Sequence, residues 1–110
     1  MTAAPALLFW SARKLHLLAF PRGTVERLYE SDEDILLVYP FAGGLLVVSE
    51  TTLRTLDLLG RQVSRLELPE VVASAGLDYP RVTVTNSEGN QRLVELKGLS
   101  LTAIATPVTP

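Results

Sequence analysis

Three basic side chains recur at one spacing: His16, Arg54 and Arg92 lie 38 residues apart, and His16 is the one histidine of the chain. A ring of three basic groups, six in a dimer, is a site for an anion. The simpler reading is three solvent-facing polar positions at a strand entry, where Arg and His are common. Catalysis by His16 would need a nucleophile and an orienting carboxylate, and nothing in the sequence places them. No catalytic residue is therefore assigned. A second cluster is acidic: "SDEDI", Ser31 to Ile35, brings Asp32, Glu33 and Asp34 together. Calcium needs six to eight oxygens in a shaped loop. This segment lacks the glycine and distal glutamate of such a loop, so it reads as a solvated turn that also protects a sheet edge. A third pair is aromatic. Tyr39-Pro40 and Tyr79-Pro80 can line a sugar or peptide site by stacking, or can end strands with a packed ring. Trp10 and Phe41 read as core or interface anchors.

The composition removes several classes. The chain has no cysteine, which excludes disulfides, thiolate metal sites and cysteine nucleophiles; it also fits a reducing cytoplasm. Ten Lys and Arg stand against twelve Asp and Glu, for a net charge of −2. That balance lacks the basic excess of a nucleic-acid binder. The apolar run Ala6 to Trp10 is too short to span a bilayer. Its positive residues, Arg13 and Lys14, follow it rather than precede it, the wrong order for a secretion signal. The longest apolar run, "ILLVYPFAGGLLVV", is interrupted by Pro40 and two glycines, against a membrane helix. No phosphate loop, zinc spacing or hydrolase elbow is present, and no cofactor is expected.

The elements that must position these residues are strands. Short Leu- and Val-rich runs closed by Gly, Pro, Ser or Thr predict strands over 6–11, 14–20, 24–30, 34–39, 44–49, 52–58, 62–68, 76–79, 81–86, 91–97 and 99–106. The one helical candidate is Pro69 to Gly76, a single turn or a wide loop. "NSEGN", Asn86 to Asn90, is the clearest hairpin turn. The runs repeat. Leu7, Leu8, Ser11, Leu15, Leu18, Val25, Arg27 and Leu28 reappear 38 residues on as Leu45, Leu46, Ser49, Leu53, Leu56, Val63, Arg65 and Leu66. Arg54, Leu56, Asp57, Leu58, Gly60, Val63 and Leu66 continue into Arg92, Val94, Glu95, Leu96, Gly98, Leu101 and Ile104. At 110 residues, this is one all-β domain of three units, about 6–33, 34–74 and 75–107.

A period near 38 with four strands suggests propeller blades. Residues 34–68 resemble one blade of a WD40-type or quinoprotein-type propeller, in the order strand, Gly43-Gly44, strand, "TLRTLDL", Gly60, strand. The Gly-His and Trp-Asp pairs of WD40 repeats are absent, with Leu56-Asp57 where Trp-Asp would stand. The aromatic packing motif of quinoproteins is absent too, so the resemblance implies no cofactor. The first unit lacks room for an innermost strand. Three units are too few to close a ring, which predicts a homodimer. An antiparallel barrel or sandwich is the alternative fold. Function is expected to be non-enzymatic: a binding or assembly module whose partner is itself or another protein, and neither nucleic acid nor membrane. A small-ligand or carbohydrate site between blades, formed by Tyr39, Tyr79 and the basic set, is the alternative.

Overall fold

The computed structural model describes residues 6–19, 24–41 and 43–104. Eleven strands follow one another without a helix among these residues: β1 (Ala6–Ser11), β2 (Lys14–Ala19), β3 (Thr24–Glu30), β4 (Ile35–Phe41), β5 (Gly44–Ser49), β6 (Thr52–Leu56), β7 (Gln62–Glu67), β8 (Val72–Asp78), β9 (Arg81–Asn86), β10 (Gln91–Lys97) and β11 (Ser100–Ala103). Each strand pairs antiparallel with its neighbour in sequence. The pairing makes a first sheet β1-β2-β3, a middle sheet β4-β5-β6-β7 and a third sheet β8-β9-β10-β11. None of them closes on itself, so the barrel alternative is not the arrangement found.

The sheets stack face to face, giving a body of 52 × 29 × 19 Å. The alternation of β5 dictates this. Leu45 and Val47 point to one side and join Leu15, Ile35, Val38 and Leu56 in a core against the first sheet. Leu46 and Val48 point to the other side and join Leu53, Val72, Val82, Val84, Val94 and Leu96 against the third sheet. A strand apolar on both faces has to be covered on both faces. Each of these four side chains, fully buried, contributes about 1.5–3 kcal/mol.

Predicted and observed strands differ most in three places. The strand expected at 34–39 runs on through Pro40 to Phe41. Because β4 is an edge strand, the missing N–H of Pro40 need not break a ladder. The helical candidate Pro69–Gly76 is overturned: β8 begins at Val72 and absorbs Gly76. The run expected over 52–58 stops at Leu56, where Asp57 starts a turn. Its Oδ1 accepts N–H bonds from Leu59 at 2.9 Å and Arg61 at 3.0 Å. Asn86 builds the same turn, its Oδ1 accepting from Glu88 and Asn90 at 2.9 and 3.0 Å. Gly60 and Gly89 take positive φ at the fourth position of each. Phe20 and residues 105–107, which carried the ends of two expected strands and of the third unit, lie outside the described residues.

The repeat is visible in the backbone. The carbonyls of Arg13 and Ala12 accept from the amides of Ser31 and Ile35, both at 2.7 Å; those of Thr51 and Glu50 accept from Leu68 and Val72, both at 2.8 Å. The acceptors are 38 apart and the donors 37 apart. The same pair of bonds thus carries the chain from the first sheet to the middle one, and from the middle one to the third. The shift to 37 persists through β9 and returns to 38 at β10, after the longer Asn86–Asn90 turn. Val47 pairs with Arg54, and Val84 with Arg92.

Candidate functional site

The polar centre of the molecule lies where the first sheet meets the middle one. Arg54, on β6, pairs with Val47 and so points toward the first sheet. It is 2% exposed. Its Nη1 donates to Tyr29 Oη at 2.8 Å and to Ser31 Oγ at 2.7 Å, and its Nη2 to Asp32 Oδ1. Its Nε is buried without a partner. Burial alone would lower the Arg54 pKa; the bond to Asp32, the Tyr29 oxygen and the Asp32 charge outweigh it, and the net shift is upward. The Arg54 bond in turn holds the Asp32 carboxyl below the ordinary carboxylate range.

The rest of the acidic cluster serves the same junction. Glu33 reaches across to the β5–β6 turn. Its Oε1 accepts from the Thr51 amide at 3.1 Å and Thr52 Oγ1 at 2.8 Å, and its Oε2 from Thr51 Oγ1. Burial pushes Glu33 up, the bonds from Thr51 and Thr52 push it down, and the latter prevail. Asp34 pairs with Arg13 at 3.2 Å, and its amide donates to Glu50 at 3.3 Å. The solvated turn expected here is present as the crossover linking β3 to β4, with the Asp32 and Asp34 side chains exposed, and its carboxylates also bolt two sheets together. Among the described residues no group of three or more His, Cys, Asp or Glu is placed to hold a metal ion.

His16, Arg54 and Arg92 occupy equivalent positions, one per sheet, each on the side toward the preceding sheet. The structure does not bring them together. His16 lies on the outer side of the first sheet, stacked on Phe9 with ring centroids 5.0 Å apart. Arg54 is enclosed. Arg92 is exposed beside a shallow recess with Leu68, Glu70, Val84, Asn86 and Asn90. Tyr39 and Tyr79 are not repeat equivalents, since Tyr39 is within β4 and Tyr79 follows β8. Both nevertheless serve the junction of the middle and third sheets. Tyr39 Oη donates to the Ala75 carbonyl at 2.6 Å, while Tyr79, half exposed, stacks on Phe41 at 5.8 Å. With Phe9 and Trp10 on β1, these aromatics line the edge formed by β1, β4 and β8. Sequence reasoning missed Tyr29 and Ser31 as partners of Arg54. An Arg between Leu53 and Leu56 at an inward-pointing position was the available signal.

The two end faces of the stack differ. On the third sheet, the side away from the core carries Ser74, Gly76, Thr83, Thr85, Gln91, Leu93 and Glu95, as the pairing register requires. The corresponding side of the middle sheet carries Leu37, Tyr39, Leu46, Val48 and Leu53 in its core. At the other end, the Phe9–His16 pair lies two residues along from the Leu7–Leu18 pair, and Leu18 also pairs with Val25. No helix among the described residues is long and apolar enough to cross a membrane. No protein-family model matches the sequence, and a comparison with curated proteins returns no match.

Proposed function

We propose that the chain is a non-enzymatic binding and assembly module of propeller-blade-like sheets, which pairs with a second copy through the outer face of β1–β3. The observation that supports this reading is the contrast between the two end faces. The third sheet ends the stack mainly in Ser, Thr, Gln and Glu, which water solvates, with Leu93 the large apolar side chain among them. The first sheet ends it with Phe9 at 36% exposure, and the positions of Leu7 and Leu18 repeat Leu45 and Leu56, which the middle sheet buries, beside the basic positions Lys14, His16 and Arg27. A head-to-tail ring of two copies would press the polar face onto the apolar one, leaving hydroxyls and amides to be desolvated. Two-fold pairing of first sheets places the Phe9 and leucine positions against apolar positions of the second copy and closes on itself.

The interface is small. Three strands about 4.8 Å apart and six residues at about 3.3 Å each make a face of roughly 300 Å², within the range of weak, reversible contacts. Sedimentation equilibrium should therefore give a mass that rises with concentration from 12.0 kDa to about twice that value. Phe9→Asp should hold it at the monomer. A wild-type mass that stays monomeric up to millimolar protein would refute the pairing.

A further inference from the structure

Among the described residues the first sheet is one strand short, and none of them occupies the position that strand would take. In the middle sheet β4 lies beside β5, and in the third sheet β8 lies beside β9. β1 is the counterpart of β5 and β9: it starts 38 residues before β5, and β5 starts 37 before β9. Nothing among the described residues lies beside it.

The effect is measurable at Trp10. This residue pairs with Leu15, so it points toward the middle sheet, on a side where Leu15 is fully buried. Trp10 is nonetheless 37% exposed. Its counterpart Val48, 38 residues on, is 0% exposed, because β4 runs past it with Leu37 opposite. One layer below the open position lies β4 itself, with Val38 and the exposed Pro40 on the side facing up. The opening thus has a wall made of the N–H and C=O groups of β1 that meet no strand among the described residues, a floor of β4 and an aromatic at its rim.

We infer that the free edge of β1 takes an extended segment of a partner polypeptide, about seven residues long and antiparallel to β1, with apolar side chains at alternate positions. Length and direction follow from β4 and β8, each seven residues and antiparallel to its neighbour. Alternation follows from the opening: side chains pointing to the middle sheet meet Trp10, Val38 and Pro40, while the others point away from it. Backbone bonds to a sheet edge supply affinity, and the alternate side chains supply selectivity. The occupant is not β1 of a second copy. Edge-to-edge pairing would carry the other copy's own middle sheet, four strands wide beneath a three-stranded one, into β4. The inference stands apart from the face pairing above, which leaves this edge free.

The test uses the full chain and a synthetic peptide of residues 34–42 carrying Ile35→Lys, Val38→Thr and Pro40→Thr. These changes keep the side chains that would face the middle sheet and make the others polar. Adding the peptide should slow amide exchange at alternate residues of β1 at least tenfold, while a scrambled peptide should not. Trp10→Ala should weaken the peptide at least tenfold with the urea midpoint of the free protein nearly unchanged. Three results would overturn the inference: unchanged β1 exchange at millimolar peptide, protection appearing at β7 or β8 instead, or β1 amides already protected in the free dimer. The mass of the protein without peptide tests the face pairing separately.

Discussion

Arg54 is the side chain on which the junction of the first two sheets turns, and Arg54→Met measures how much. The substitution keeps a long flexible chain in a 2%-exposed site but deletes the donors to Tyr29, Ser31 and Asp32. Hydrogen bonds from a charged donor contribute about 1.5–3 kcal/mol each, so the gross loss from the bonds to Tyr29 and Ser31 is roughly 3–6 kcal/mol. Two effects offset it. Burying a guanidinium costs several kcal/mol, and the unpartnered Nε shows that this cost is incompletely repaid. The abandoned acceptors are also not stranded. Tyr29 Oη keeps Gln62 at 3.2 Å, Ser31 Oγ keeps the Glu33 amide at 3.0 Å, and Asp32 faces water. The net expectation is a loss of about 2 kcal/mol, equivalent to roughly 10 °C in Tm for a domain of this size. Urea unfolding followed by circular dichroism should show a lower midpoint at unchanged slope. Asp32→Asn, which removes only the exposed partner, should move the midpoint less. An Arg54→Met protein as stable as the parent would refute the claim that the guanidinium holds the crossover.

Gly60→Ala should cost about 3 kcal/mol or more, because a Cβ there meets the Leu28 carbonyl and φ is +83°; Gly89→Ala, at φ +86° with open space around it, should cost about 1 kcal/mol. Asp32, Glu33 and Asp57 all have pKa values lowered by folding, so their stabilisation is whole at neutral pH. It fades as pH falls through and below the ordinary carboxylate range, about pH 4; Glu33→Gln should flatten the acid limb of a stability–pH curve. Tyr39→Phe should cost about 0.5–1.5 kcal/mol in urea unfolding, through loss of the bond to Ala75. A fragment ending at residue 68 loses the sheet that covers Leu46, Val48 and Leu53, and should be insoluble or lack a cooperative transition.

The strands were legible in the sequence because each is a short run of Leu and Val between turn-formers, and turns such as Asn86–Asn90 close on their own side chains. β8 was not. Its Gly76 and the preceding Pro69 read as punctuation, and what makes the segment a strand is distant: the Glu50 carbonyl that takes the Val72 amide and the pairing with β9. The set His16, Arg54 and Arg92 was legible as a set, since it marks one position in three sheets. Its environments were not. They depend on what lies opposite: Phe9 for His16, the crossover for Arg54, solvent for Arg92. The partners of Arg54 lie 22–25 residues away and converge only once the sheets stack. The same limit applied to the far face of the third sheet, where Thr83 and Thr85 stand beside Leu93 and a further layer would need Leu or Val throughout.

The recurring backbone junction makes the length of this stack adjustable. Its two hydrogen bonds ask nothing of side chains, and the donors recur every 37 residues. A second copy of residues 31–67 inserted before Leu68 would find the carbonyls of Glu50 and Thr51 waiting. It would bring its own Ser31 and Asp32 to meet its own Arg54. The leucines and valines of β5 would then face their duplicates, and the polar sheet would still terminate the stack. The chain thus has the grammar of a sentence that can take another clause before its full stop: growth is possible in the middle, and the third sheet decides where it ends.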